Sequence, residues 1–248
     1  MARRRGMVLA SLLFMLIPVG LIGAAAWDRP KTTRYLKKAH DRTMHFVEGF
    51  FAEPTSGWRR LPLHGPCVHA HNRWAWHLKR TYGQASVIEA LQRSCERVQK
   101  DHPEFRLAVQ DISWPKGGPM LGHLSHRWGR DVDIVFIGRD RKGRVSPSRP
   151  ELGSPLGMYR RDFNEEGRWG QVRFDEELNW AFLMALRANP SRPVEKVLVE
   201  PHIKTRLLAA GRRLGASKNA LKWASDKLRF AGHNAADHED HMHVRFRR

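Results

Sequence analysis

An aspartate pair inside a β-branched run, Asp131-Val-Asp133-Ile-Val-Phe-Ile137, constrains the fold of this chain more than any other feature. Valine, isoleucine and phenylalanine dominate the run, which predicts a strand. Alternation puts Asp131 and Asp133 on one face, with Val132, Ile134 and Phe136 on the other. Two carboxylates in an apolar strand are costly unless something beside them stabilises negative charge, and a metal ion does so. The preceding residues, Gly118-Pro-Met-Leu-Gly-His123-Leu-Ser-His126-Arg-Trp-Gly-Arg130, add two histidines three apart among glycines that free the backbone.

A second cluster lies near the C-terminus, in His238-Glu-Asp-His241-Met-His243-Val-Arg-Phe-Arg-Arg248. His241, His243 and Arg245 alternate with Met242, Val244 and Phe246, again a strand with one polar and one apolar face. Two imidazoles on one strand face can converge on a point, as two zinc ligands or as one ligand beside an acid/base group. Half-sites more than a hundred residues apart imply a site assembled by the fold, not a local finger. With fourteen histidines in the chain, ordinary surface clusters are the bland alternative. A different ligand set, His123, His126, His238 and His241, would use two H-x-x-H pairs suited to helices and make a closed structural site. The strand-like alternation of both segments favours instead ligands drawn from the two strand faces.

The chain begins Met1-Ala-Arg-Arg-Arg-Gly6, followed by an uncharged run from Met7 to Trp27. Residues 1–27 therefore read as an export signal, with Ala24-Ala25-Ala26 as a small-residue cleavage site. The same run can serve as an uncleaved N-terminal membrane anchor, because about 21 residues at ~1.5 Å each just span ~30 Å of hydrocarbon. Either reading places the rest outside the cytoplasm. Residues 28–60 are a basic, proline-punctuated linker or arm, and residues 61–248 have the length of one domain.

Cys67 and Cys95 are the only cysteines, and export permits them to oxidise. Cys95 shares a helical face with Ile88, Leu91 and Val98, so a small buried core residue is the other reading. Phe105–Ile112 reads as a strand. Gly138–Gly170 is a long Gly/Pro/Arg/Ser-rich insertion, with Met158, Tyr159 and Trp169 as cleft contacts or else a basic surface loop. Asp175 is placed to cap a helix that Pro190 ends, Lys196–Glu200 reads as a short strand, and Pro201 and Ser217 open two further helices. The result is an α+β fold, with a small, mainly antiparallel sheet carrying the site and helices flanking it.

The formal net charge is +19, and +16 once the three arginines of residues 1–26 are set aside. The basic residues form no recognition helix or stacking platform, so no nucleic-acid partner is expected. Steering toward a carboxylate-bearing polymer or an anionic membrane surface accounts for the charge.

The run Gly-His-x-Ser-His-x-x-Gly-x-Asp-Val-Asp-Ile, followed by His-x-x-His-x-His-Val-Arg, resembles the penicillin-insensitive murein endopeptidases, within the lysostaphin-type and D-Ala-D-Ala metallopeptidase superfamily. The flanks Asp111-Ile-Ser-Trp-Pro-Lys-Gly-Gly-Pro-Met120 and Val197-Leu-Val-Glu-Pro-His-Ile-Lys204 are similar to that family too, so the likeness covers roughly residues 60 to 248. It implies a periplasmic zinc endopeptidase that cuts the D-alanyl-diaminopimelate cross-links of peptidoglycan. A D-Ala-D-Ala carboxypeptidase, or a non-catalytic zinc-dependent cell-wall binding protein, are the alternatives.

The resemblance implies one Zn²⁺ held by His126, Asp133 and His243, with a fourth position open for water. His241 is the candidate general base and proton shuttle. His238 would support the oxyanion or substrate, and His123 would orient a substrate group or water. Asp131 and Ser125 are expected behind the ligands. His64, His69, His71, His77 and His202 fit no metal pattern. Arg127-Trp128, Arg130 and Glu239 depart from the family's usual residues. The spacing of Cys67 and Cys95 is not implied by the family.

Overall fold

The computed structural model of the chain describes residues 51–120, 123, 125–145, 162–232 and 238–248, together with Asp41, Met44 and Glu48. The expected signal or anchor at 1–27, most of the 28–60 arm, and the cleft contacts Met158 and Tyr159 lie outside these residues. Among the described residues, no helix is long and apolar enough to cross a membrane. Residues Gly49–Arg248 form a unit of their own.

In chain order its strands are β1 (Trp58–Arg60), β2 (Val68–Ala70), β3 (Tyr82–Gln84), β4 (Leu107–Val109), β5 (Asp131–Val135), β6 (Gly138–Arg139), β7 (Arg168–Trp169), β8 (Val172–Phe174), β9 (Val194–Leu198), β10 (Leu228–Arg229) and β11 (His241–Phe246). The helices are α1 (Arg73–His77), α2 (Ala85–Gln99), α3 (Glu176–Arg187), α4 (Pro201–Arg213) and α5 (Lys218–Lys227). Six strands form the main sheet in the order β10-β9-β11-β5-β4-β2. Its inner pairings, β9 with β11, β11 with β5 and β5 with β4, are antiparallel; the outer two are parallel. The fold is α+β, as the mixture of strand and helix patterns predicts.

The two segments singled out by their alternation are the central strands. Their apolar faces, Val132 and Ile134 on β5 and Met242 and Val244 on β11, join one buried cluster with Val87 and Leu91 of α2 and Leu178, Phe182 and Leu186 of α3. Helix α2 buries Val87, Ala90, Leu91, Ser94, Cys95 and Val98, the i, i+3, i+4 stripe of an amphipathic helix. Helix α3 starts where Asp175 accepts a hydrogen bond from the Leu178 N–H at 3.0 Å, and Glu176 and Glu177 in its first turn suit the helix dipole. Pro201 opens α4 and Ser217 caps α5, as their sequence positions predict.

Two elements differ from expectation. The strand expected over Phe105–Ile112 is only Leu107–Val109, because the backbone beyond it turns to other partners. The Ile112 and Ser113 N–H groups both donate to the Arg80 carbonyl, at 2.9 and 3.0 Å. Strand β9 begins two residues before the expected Lys196. Trp169, an expected cleft contact, is half-buried against the core cluster.

Cys67 and Cys95 form a disulfide, with Cα atoms 5.9 Å apart and both residues almost fully buried. The bridge ties α2 to the segment entering β2. Closing a loop of this size stabilises a fold by about 3–4 kcal/mol in the chain-entropy account. Urea unfolding of the oxidised chain should therefore give a stability about 3–4 kcal/mol above that of the reduced chain. A Cys67→Ala/Cys95→Ala variant should no longer respond to reductant. Equal stability with and without reductant would show that the bridge constrains nothing.

Candidate metal centre

The register of β5 against β11 assembles the site. His243 pairs with Asp133, Arg245 with Asp131, and His241 with Val135. Directly opposed residues in an antiparallel pair project to the same side. The polar faces of the two strands therefore coincide, and both carboxylates meet the C-terminal histidine cluster.

His126 arrives from the loop before β5. Gly117 and Gly118, at φ 73° and 84°, adopt the left-handed region that glycine tolerates. The Gly118 N–H donates to the Arg127 carbonyl at 2.9 Å, which closes this loop on itself. The Ser113 hydroxyl donates to the His126 carbonyl at 3.1 Å. The His126 ring is fully buried, and its Nδ1 lies 2.9 Å from the Ile112 carbonyl. A carbonyl can only accept, so Nδ1 carries the proton and Nε2 presents its lone pair inward.

That Nε2 is 3.1 Å from Asp133 Oδ2 and 3.2 Å from His243 Nδ1, while His243 Nδ1 is 2.8 Å from Asp133 Oδ1. His123 Nδ1 is 3.6 Å from Asp133 Oδ2. His123, His126 and Asp133 each offer a donor within 4.8 Å of the others, a group able to hold a metal ion. His243 lies within the same range, so two triads share His126 and Asp133. Nitrogen and oxygen ligands at 2.0–2.1 Å from a tetrahedral ion are about 3.3 Å apart, close to these separations. The residues fit a metal.

Each imidazole is held from behind. His243 Nε2 lies 3.0 Å from Asp131 Oδ1, which also accepts from Arg245 Nε at 2.6 Å. His241 Nδ1 lies 2.5 Å from Asp240 Oδ1, leaving Nε2 toward Asp133 at 3.6 Å. His123 Nε2 lies 3.2 Å from Asp111 Oδ2, and Asp111 pairs with Arg80 at 2.7 Å. Ser125 Oγ is 3.5 Å from His243 Nε2, the limit of a hydrogen bond. The His238 ring centre is 4.9 Å from that of His241, and its buried Nδ1 has no partner among the described residues.

Asp111, Asp131, Asp133 and Asp240 are all buried against these rings. The guanidinium groups of Arg80 and Arg245 offset two of the four charges. Burial alone would raise Asp133, yet the imidazoles clustered around it, His126, His241 and His243, hold it well below the usual carboxylate range. Burial pulls His243 down, but hydrogen bonds to Asp131 and Asp133 outweigh it and raise the imidazole to about 9. His241 is likewise raised, its burial outweighed by Asp133 and Asp240. Burial, with His241 and His243 nearby, lowers His238 to about 4. Burial also lowers His126, which keeps its inward lone pair free of a proton at neutral pH.

All six sequence-predicted site residues, His123, His126, Asp133, His238, His241 and His243, meet at this point. The structure also brings in residues to which sequence reasoning gave no role, namely Asp240, Asp111 and Arg80. Asp240 precedes β11, where strand alternation gives no guide to side-chain direction. Arg80 is joined to the site only by long-range contacts. His69 and His71 are buried, and His202 Nε2 bonds to the Phe163 carbonyl at 2.8 Å.

Fold and site together define an α+β protein whose central strands carry a His-His-Asp cluster able to bind a metal ion. Residues 50–248 match the family of penicillin-insensitive murein endopeptidases, and the chain belongs to that family. Membership brings a reaction class, peptide hydrolysis, and a substrate class, peptidoglycan. A comparison with curated proteins finds no match.

A metal ion at His243 displaces a proton that the metal-free protein holds up to about pH 9. Apparent metal affinity should thus rise about tenfold per pH unit from neutral pH toward 9, then flatten as that proton is already gone. Asp131→Asn removes one of the charges that hold the proton, so its plateau should begin at lower pH, with affinity about 10–100-fold weaker above it. Competition titrations with a metal indicator across this range read both effects. A pH-independent affinity would remove His243 from the ligands.

Proposed function

We propose that the chain is a zinc-dependent, exported murein endopeptidase that hydrolyses D-alanyl-diaminopimelate peptide cross-links. His126, Asp133 and His243 hold the ion. The observation that carries this reading is that His126 Nε2 and His243 Nδ1 lie 3.2 Å apart, each 2.8 to 3.1 Å from an oxygen of the buried Asp133 carboxylate. Two imidazoles and one carboxylate suit Zn²⁺ and are typical of catalytic sites. His123 is farther from Asp133 and is the more exposed ring, its side chain 24% accessible against 0% for His126 and 5% for His243. It therefore faces the substrate side.

When bound, the ion supplies Lewis acidity toward water and the scissile carbonyl. The chain supplies the proton path. Asp240 accepts the Nδ1 proton of His241, so His241 Nε2 is the basic nitrogen. It takes a proton from the attacking water and returns it to the leaving amine nitrogen, and Asp240 stabilises the charged ring in between. His238 is neutral at pH 7, and its ring stands beside His241 where it can donate to the carbonyl oxygen. His123, oriented by Asp111, aligns a substrate group. The N-terminal run exports the protein to the periplasm, cleaved as a signal or kept as an anchor.

Purified protein should contain about one zinc, which His126→Ala and Asp133→Ala lose together with activity on sacculi. A chelator should abolish cross-link cleavage, and penicillin should neither inhibit nor label the chain, since no serine nucleophile takes part. Full activity in excess chelator would sink the mechanism.

The two histidines of β11 should separate cleanly. His241→Ala should keep its zinc while kcat falls about 10²–10⁴-fold, whereas His243→Ala should lose the metal. Asp240→Ala should lower kcat without emptying the site, and in a His241→Ala background it should add almost nothing, because the two act as one unit. Additive losses would make Asp240 merely structural, and retained zinc in His243→Ala would reverse the assignment.

A further inference from the structure

Outside the metal centre, a groove of about 820 Å³ opens on the small sheet β6-β8-β7. Five arginines line it, Arg139, Arg141, Arg168, Arg173 and Arg213. Three of them are in register, Arg139 opposite Arg173 on one side and Arg168 opposite Arg173 on the other. Directly opposed residues share a face with Cα atoms about 4.5–5.5 Å apart, and like charges so placed repel. A generally basic surface does not require that register; it is the least favourable way to distribute three cations over three strands.

The acids compensate Arg139 alone of the three, with Glu104 also 3.6 Å from its guanidinium. Asp175 pairs with Arg139 Nε at 2.5 Å. Glu176 is shared between Arg206 and Arg213, at 3.0 and 3.1 Å, and Asp140 pairs with Arg144 at 2.8 Å. Glu177 lies 3.6 Å from Arg213. Among the described residues, no acid pairs with Arg168 or Arg173, and both are exposed. A further anion would complete the arrangement.

The width of the row selects the anion. Two inter-strand spacings of about 4.8 Å make it roughly 10 Å wide, too broad for one carboxylate or phosphate and suited to several along a polymer. Its location ties it to the reaction. Strand β6 begins three residues after Val135, which stands opposite His241 in the register of β5 with β11. We propose that the Arg139–Arg173–Arg168 row is an anchoring site for the carboxylates of uncut peptidoglycan, separate from the metal centre. This rests on the murein reading of the function and adds a second point of attachment to the polymer.

The test compares the full chain with Arg168→Gln/Arg173→Gln and with Arg97→Gln/Lys100→Gln, which removes two exposed cations at the C-terminal end of α2. Each is assayed for co-sedimentation with purified sacculi, with sacculi whose carboxylates have been amidated, and for cleavage of a soluble cross-linked muropeptide dimer. At about 0.15 M salt, the groove variant should bind sacculi about tenfold more weakly than either other protein. Amidation should weaken the native protein by a similar factor. The ratio of sacculus to dimer turnover should fall in the groove variant alone. Its Tm should equal or exceed the native value, since a repulsive pair has been removed.

Equal losses in the α2 control would reduce the groove to general charge. Unchanged binding in the groove variant, or no effect of amidation, would overturn the proposal, and a lowered Tm would make the arginines structural. A native protein that cleaves neither substrate would overturn the endopeptidase reading instead, while the binding measurements still judge the groove.

Discussion

Asp133 is the residue on which the arrangement depends. It lies in the middle of a central strand with 1% of its surface exposed, where an isolated carboxylate would be strongly disfavoured. The fold answers with four imidazoles whose nitrogens approach it within 2.8 to 3.6 Å. Those rings bring their own requirement, because each buried imidazole needs its outer nitrogen satisfied if the inner one is to face the carboxylate. The Ile112 carbonyl, Asp131, Asp240 and Asp111 meet that requirement for His126, His243, His241 and His123 in turn. Removing one partner of such a buried pair is typically worth about 3–5 kcal/mol, so the network is strongly interdependent.

The same requirement explains why part of the fold was legible and part was not. The central strands announced themselves, because Val132, Ile134, Met242 and Val244 alternate with polar residues that all reach one site. Helix α3 was equally plain from Asp175 at its cap and the apolar stripe behind it. The strand at Phe105–Ile112 was overestimated, since β-propensity cannot register that Ile112 serves His126 and that its N–H goes to Arg80. Pairing partners are set by tertiary contacts that a local pattern does not contain.

Within the site, the residues nearest the reaction were legible and those behind them less so. Asp133, His241 and His243 lie at spacings that strand geometry can interpret. Asp131 was legible as a supporting group because it is two residues from Asp133 and so shares its face. Asp240 was not, because adjacent residues in a strand point apart; it reaches His241 only by preceding the strand. Arg80 follows Lys79, a residue with φ 60°, at a turn whose direction no spacing rule gives. The disulfide was undecidable for a related reason: it depends on where α2 packs, and a separation of 28 residues is compatible with near or distant Cα atoms.

In the proposed mechanism, the placement of His241 two residues before His243 matches what proton transfer requires. A base must be near the attacked carbonyl yet must not compete with the ligands for the metal. On one strand face, residues two apart are separated by about 6.8 Å along the chain direction, a distance fixed by the backbone and unaffected by side-chain rotation. Pairing in the central sheet then holds both rings against β5, with His243 at Asp133 and His241 one step farther, at Val135. Sites built on strands are held more tightly than sites on loops, and here both half-sites share one ladder of hydrogen bonds. The sheet thus sets the offset between metal and base, and Asp131 and Asp240 set the orientation of each ring. That division of labour lets a chain with a net charge of +19 concentrate four buried carboxylates at one point.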